Sequence, residues 1–299
     1  MCIRDRTCSV CRYAAEKGLE FFNPKENTGF LRTIMIRTSA TTGQVMLLVQ
    51  FYREDAPARD ALLEHMHGAF PQITSLLYAI NPKVNDSVYD LDIKTYCGDD
   101  YITEEMDGLV FKIGPKSFFQ TNSLQALRLY QVVRDFAGLT GQETVYDLYT
   151  GTGTISQFVS RQAKKVVGVE SVPEAIDAAR ENAARNGIGN CEYLVGDMKD
   201  VFDDGFVARY GQPDVVITDP PRDGMHKDVV AQLLKLSPPR IVYVSCNSAT
   251  QARDLALMDS AYRVEKIQPV DMFPQTFHVE NVVLLSRRKI CPPEKTDRP

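Results

Sequence analysis

From Ser123 onward, short apolar runs alternate with longer stretches whose apolar positions recur three and four residues apart. The short runs predict strands at Thr144–Tyr149, Lys165–Glu170, Cys191–Val195, Asp214–Thr218, Arg240–Ser245, Arg263–Asp271 and Asn281–Ser286. The longer ones predict helices at Ser123–Ala137, Thr154–Gln162, Pro173–Asn186, Lys199–Arg209, Lys227–Lys235 and Ala249–Asp259. Strict strand and helix alternation means a sheet covered on both faces, so the fold class is α/β and Rossmann-like. No helical pattern separates the last two strands. The seven-stranded sheet is therefore expected to be mostly parallel, with an antiparallel pair at its end.

Ahead of Ser123 the pattern changes. Two strands, Leu31–Arg37 and Val45–Tyr52, flank the polar turn Ala40–Gly43, and a helix over Pro57–Phe70 carries Leu62, Leu63, Met66 and Phe70 on one stripe. A strand at Ser75–Asn81 and a turn-rich, strand-rich segment to Gly114 follow. The expected organisation is a smaller α+β domain over 1–114, a larger domain over 115–290, and a polar tail over 291–299 whose end, Pro292–Pro299, should fray. Nothing in the first domain specifies chemistry.

With 299 residues and 44% hydrophobic content, the chain has ample material for both cores. Seven cysteines without regular spacing, and no apolar run long enough to cross a bilayer, point to a soluble monomer in a reducing cytoplasm. The net charge of −5 weighs against a nucleic-acid partner, because phosphate neutralisation is the usual source of affinity. Basic residues do cluster locally, at Arg32 and Arg37, Lys112 and Lys116, Lys164 and Lys165, and Arg287 to Lys289. Such pairs suit a local RNA-facing patch and, equally, the solvated ends of strands.

The segment Asp147-Leu148-Tyr149-Thr150-Gly151-Thr152-Gly153 follows a strand and opens a helix, where glycine lets backbone approach a nucleoside. The third glycine of a dinucleotide site is missing, since Thr154-Ile155-Ser156 comes next, so a pyrophosphate is poorly provided for. Glu170 ends the second strand, where a carboxylate can accept both ribose hydroxyls; Asp197 follows the third, where it can meet an adenine amino group. That set favours S-adenosylmethionine over NAD. Each carboxylate alone also suits a helix cap or a turn.

Three further segments sit at the ends of later strands: Asp219-Pro220-Pro221-Arg222, Val244-Ser245-Cys246-Asn247 and His278-Val279-Glu280-Asn281. An acid, a thiol and a second acid at neighbouring strand ends fit attack on a pyrimidine. A thiolate added to C6 makes C5 nucleophilic, and a base must later remove the C5 proton. Asp219 can accept N3–H of uracil, where cytosine offers an acceptor instead; Arg222 can bind phosphate or hold Asp219. Taken singly, Cys246 also reads as a core cysteine, Glu280 as a surface glutamate and Arg222 as half of an ion pair. An activated Cys246 is expected to be alkylated faster than the other thiols.

These motifs, with Gly114-Pro115-Lys116-Ser117-Phe118-Phe119-Gln120-Thr121-Asn122 and Ser245–Asp254, resemble the RNA uracil-C5 methyltransferases, and specifically the 23S ribosomal RNA 5-methyluridine enzymes, from about Phe30 to Arg288. The resemblance implies an S-adenosylmethionine-dependent methyltransferase fold, an RNA substrate, Cys246 as nucleophile and Glu280 as general base. It puts Gln120, Tyr149, Thr154, Glu170, Asp197 and Asp219 at cofactor-binding positions, with Gln120 and Asp219 also near the target base. Gly151 belongs to the same turn by the reading given above.

Two departures stand out: Ser248 where the family has proline, and a start too late for the family's β-barrel RNA-binding domain and cysteine cluster, which reads as an N-terminal truncation. Cys8-x-x-Cys11, just ahead of a helix at Arg12-Tyr13-Ala14, cannot complete a four-thiolate site, and no iron–sulfur cluster is expected. A transfer-RNA uracil-C5 enzyme and a catalytically silent RNA-binding factor are the alternatives. A cytosine-C5 enzyme is disfavoured by Ser245 ahead of the thiol, and an amino-group methyltransferase by Arg222 where an aromatic would stack.

Overall fold

The structure, a computed structural model, describes residues 3–277 and 279–288; His278, Lys289 and the expected polar tail lie outside the described residues. The chain divides into two compact units, Met1–Phe118 and Phe119–Pro299.

In the first unit, helices α1 (Ile3–Lys17) and α2 (Ala56–Ala69) accompany a sheet of β1 (Leu31–Thr38), β2 (Val45–Phe51), β3 (Ser75–Ile80) and β4 (Ile93–Gly98) in the order β1-β2-β3-β4. Strand β2 reads Val-Met-Leu-Leu-Val-Gln-Phe and is buried at every position, as a strand covered on both faces must be. Its Leu47, Val49 and Phe51 share one core with Val10 and Ala14 of α1 and with Leu62, Leu63 and Met66 of α2. Asp55 starts α2 by accepting from the Ala58 N–H at 3.2 Å, with Pro57 in the first turn. A separate hairpin of β5 (Ile102–Met106) and β6 (Leu109–Ile113) follows. Helix α1 starts well before Arg12, so Cys8 and Cys11 lie within it and are exposed.

The basic pairs are largely consumed by the fold. The Arg32 guanidinium donates to the carbonyls of Asn81, Lys83, Val84 and Asn85 and to Asp86, and so builds the loop after β3. Arg37 donates to the carbonyls of Gly114 and Ser117. Lys165 pairs with Glu192 at 2.8 Å, Arg287 donates to the Ser237 carbonyl at 3.0 Å, and Arg288 pairs with Asp259 at 2.8 Å.

The second unit opens with α3 (Ser123–Ala137) and then runs β7 (Thr144–Leu148), α4 (Thr154–Ser160), β8 (Lys165–Glu170), α5 (Pro173–Arg185), β9 (Cys191–Val195), α6 (Met198–Val201), α7 (Asp204–Tyr210), β10 (Val215–Thr218), α8 (Lys227–Leu236), β11 (Arg240–Ser245), α9 (Ser248–Met258), β12 (Tyr262–Val270) and β13 (Glu280–Arg287). The seven strands lie in the order β12-β13-β11-β10-β7-β8-β9. β7 to β11 are mutually parallel, and β13 alone runs against them, between β11 and the edge strand β12. The expected α/β sheet is therefore present. The chain order reverses about β7, the kind of switch point at which open sheets hold ligands beyond their carboxyl ends.

One expected helix is two. Over 199–209 the chain breaks after Val201, because Phe202 turns into the core beside Tyr146 and Asp203 restarts the helix by accepting from the Phe206 N–H at 2.8 Å. No described helix is long and apolar enough to cross a membrane.

Candidate active site

The carboxyl end of β7 makes the first wall. Tyr149 adopts φ 64°, a left-handed conformation that costs an aromatic residue free energy, and Gly151 and Gly153 follow at 56° and 75°. At Gly153 a Cβ would stand 2.8 Å from the Tyr193 hydroxyl and 2.9 Å from the Ala179 Cβ, so only glycine fits. Beneath this turn Asp147 is buried. One of its oxygens accepts from Thr150 at 2.6 Å and from Ser156 at 2.5 Å; the other, Oδ1, has no partner among the described residues. Burial pushes its carboxyl up to about 6 against the pull of those hydroxyls.

The two expected ribose and adenine acids stand at successive strand ends. Glu170 ends β8 and accepts from the Gly151 N–H at 3.1 Å, while its other oxygen takes the N–H groups of Ser171 and Val172. It thereby ties the glycine turn to the next strand. Asp197 follows β9, caps α6 through the Lys199 N–H and pairs with the Lys199 ammonium at 3.3 Å; the N–H first and the ammonium second hold its carboxyl below the usual range. Thr154 is buried at the first turn of α4.

β10, β11 and β13 carry the second group. Asp219 extends β10 by one residue, its N–H reaching the Leu148 carbonyl at 3.3 Å. Cys246 follows β11, and Ser245 is paired with Asn281 of β13. Cys246 and Glu280 are the next residues beyond that pair, one on each segment, and the Glu280 carboxylate lies within electrostatic reach of the Cys246 thiol. Burial first, and the Glu280 carboxylate second, raise the Cys246 thiol above its ordinary value; a hydrogen bond from Arg222 works the other way. Burial likewise raises Glu280, with Arg222 opposing. Asp219 is pushed well above the usual carboxylate range by burial, then by Glu280 and Asp147. The same field reaches the buried Tyr130 of α3, whose phenol is raised by burial and by Asp219, Glu280 and Asp147.

Cys246 is half-buried with its thiol raised, whereas Cys8 and Cys11 are exposed. Gln120 is half-buried, two residues ahead of Asn122, which caps α3 and donates to the Met272 carbonyl at 2.8 Å.

Sequence reasoning missed the bracing beneath these groups. Asn247 donates to the Arg222 carbonyl at 3.1 Å and caps α9, taking over at Ser248 the start that proline would give. Thr250 donates to the same carbonyl at 3.0 Å. Buried Asp254 accepts from the Met225 N–H at 2.8 Å and from the Tyr243 hydroxyl at 2.7 Å, so α9 fastens the Asp219–Met225 loop to β11. Gln251 donates to the carbonyls of Tyr243 and Asn281 at 3.0 and 3.2 Å and accepts from the Asn281 amide at 2.7 Å, which joins β11 to β13 directly below Cys246 and Glu280.

Residues 91–288 match the family model described as tRNA (Uracil-5-)-methyltransferase. The chain belongs to this family. It is 59% identical over 269 residues to an uncharacterized RNA methyltransferase of Porphyromonas gingivalis, covering 89% of the chain and 58% of that relative, and 55% identical over 282 residues to one of Bacteroides thetaiotaomicron, covering 94% and 62%. The chain thus spans about three fifths of the length of these relatives. Among solved structures, Pyrococcus abyssi tRNA (uracil-54, C5)-methyltransferase in complex with S-adenosyl-L-homocysteine superposes with a TM-score of 0.78 at 32% identity, over 93% of this chain and 65% of that one. The fold is that of the S-adenosylmethionine-dependent methyltransferases, and the family is that of the RNA uracil-5 enzymes. Among the described residues no group of three or more His, Cys, Asp or Glu is placed to hold a metal ion.

Proposed function

We propose that the chain transfers a methyl group from S-adenosylmethionine to C5 of a uridine in RNA. The observation that carries this reading is the convergence of Asp219, Cys246 and Glu280, all within electrostatic reach of one another, at the carboxyl edge next to the glycine turn after β7. Beside the left-handed turn at Gly151 and Gly153, Glu170 fits the cofactor's ribose, Asp197 its adenine and the unpaired Asp147 oxygen its ammonium group. Bound there, the cofactor supplies an electrophilic methyl group.

The chain's residues perform the rest. The target uridine leaves its stack; Cys246 gives up its proton to solvent and the thiolate bonds to C6 as the C5–C6 π pair moves onto C5 and O4. C5 takes the methyl group. Glu280, whose raised proton affinity suits a base, removes the C5 proton; the C5–C6 double bond re-forms and the sulfur leaves. Arg222, donating to the thiol, favours the thiolate in both events. Asp219 meets the N3–H and O4 edge, and Gln120 is the second contact assigned there by the family motif.

Among RNA substrates we take 23S ribosomal RNA first, on the family resemblance alone. Transfer RNA is the second reading, favoured by the description of the matching family model and by the Pyrococcus neighbour. The test uses S-adenosylmethionine with ribosomal fragments or transfer RNA carrying 5-fluorouridine or 5-fluorocytidine. Fluorine at C5 blocks proton removal, so a true substrate leaves a denaturation-resistant protein–RNA band. A band with fluorouridine only, absent in Cys246→Ala, is the expected result; a band that survives Cys246→Ala overturns the mechanism.

A further inference from the structure

Residues 271–277 follow the edge strand β12, ahead of β13, whose first residue is Glu280. This stretch is built firmly at its base and openly at its tip. Met272 is buried, and its carbonyl is held by Asn122 at 2.8 Å. The segment Phe273-Pro274-Gln275-Thr276 closes as a turn, with the Thr276 N–H and hydroxyl both donating to the Phe273 carbonyl at 2.8 and 3.0 Å. Proline at the second position presets such a turn. On either side of it stand Phe273 and Phe277, 37% and 90% exposed. Among the described residues of this unit they are the only exposed large aromatic side chains, and Phe277 lies three residues from the proposed base. A phenyl ring so solvated contributes little to the core, and this one follows a hydrogen-bonded turn three residues ahead of Glu280 in the chain.

Resting on the uridine reading above, we propose that this turn is a stacking platform: Phe277, with Phe273 beside it, receives the nucleobase next to the target uridine when that uridine leaves its stack. Extruding one base leaves its neighbours with an uncovered face, and an exposed ring is the side chain that replaces the lost stacking without regard to sequence. Such stacking adds to RNA affinity in a chain of negative net charge in which Arg32, Arg37 and Lys165 are occupied internally.

The test compares wild type with Phe277→Ala, Phe277→Leu and Phe277→Trp in methyl transfer to total bacterial RNA, with S-adenosylhomocysteine affinity and thermal stability measured alongside. Cofactor affinity and stability should not move, since the ring is exposed. Phe277→Ala and Phe277→Leu should each lower kcat/KM for RNA by about fivefold or more, and Phe277→Trp should retain it. Activity retained in Phe277→Ala, or restored by leucine, overturns the platform while leaving the uridine reading intact. A wild-type chain that methylates no RNA brings down the uridine reading and the platform with it.

Discussion

Ser245 is paired with Asn281 across the antiparallel junction between β11 and β13. One residue beyond that pair on each side lie Cys246 and Glu280, the nucleophile and base proposed above. An acid at the first residue of a parallel strand would have stood at the opposite edge of the sheet from the thiol. Because β13 runs backwards, its first residue arrives at the carboxyl edge where β11 ends.

The pairing couples the two groups electrostatically, and the coupling has a sign. Glu280 raises the Cys246 thiol and Arg222 lowers it, so Glu280→Gln should shift the pH profile of Cys246 alkylation downward and Arg222→Gln should shift it upward. Iodoacetamide labelling followed by peptide mass spectrometry resolves Cys246 from Cys8 and Cys11. Identical profiles in the three proteins would show that the groups do not face one another. Glu280→Gln should also accumulate the covalent RNA adduct, because the C5 proton then has no acceptor.

Gly153→Ala tests the turn after β7. The added methyl meets Tyr193 and Ala179 at under 3 Å and must take φ 75°, so a loss of about 1–3 kcal/mol is expected in denaturant unfolding. Cofactor affinity should fall with it. Gly151→Ala has open space around its Cβ and carries only the conformational cost, so it should lose less.

The strand ends were legible because apolar runs stop where chemistry begins: Asp219, Cys246 and Glu280 each stand at the end of such a run. Register was not. Nothing local says that β13 enters between β11 and β12, since pairing is a property of two distant segments, and the facing of Cys246 and Glu280 follows from it. Asp254 and Gln251 read as polar surface positions of a helix, yet both share the buried face with Met258. The signal was present: counting back four and seven residues from Met258 lands on them, and a polar residue on an apolar stripe calls for a partner. Arg32 and Arg37 misled in the other direction, because charge in a sequence does not show which carbonyls will consume it.

Asp254 and Gln251 should separate stability from turnover. Asp254→Ala leaves the Met225 N–H and the Tyr243 hydroxyl without their acceptor, at a cost of about 1–3 kcal/mol, and frees the Asp219–Met225 loop. Gln251→Leu strips one partner from the carbonyls of Tyr243 and Asn281, and should lower kcat while leaving the affinity for S-adenosylhomocysteine unchanged. Loss of cofactor binding in Gln251→Leu would mean that the residue supports the whole sheet edge rather than the thiol and base.

The ionisation of Asp219 should govern base choice. As a carboxylate it accepts N3–H of uracil and repels the N3 lone pair of cytosine; as a neutral acid it can pair with either edge. Burial favours the neutral form, so the ratio of fluorouridine to fluorocytidine trapping should rise with pH. A ratio that is flat across the range in which trapping occurs would move base selection from Asp219 to another residue.

Asp147 gives the fold a pH dependence of its own. Its carboxyl is raised to about 6 in the folded chain, against about 4 for a free aspartate. A raised acid favours folding in full below its free-chain value, and that contribution is lost as pH climbs through the folded value. Between about pH 4 and 6 the chain therefore surrenders stability at Asp147, by at most about 3 kcal/mol at neutral pH, since one unit is worth about 1.4 kcal/mol. Asp147→Asn keeps an oxygen to accept from Thr150 and Ser156 and removes the buried charge. It should melt higher than wild type at pH 7 and lose the advantage near pH 4, while binding S-adenosylhomocysteine more weakly, because the orphaned Oδ1 is the acceptor assigned here to the cofactor's ammonium group. A variant that melts lower than wild type at both pH values would show that the carboxylate is held by partners stronger than the two hydroxyls.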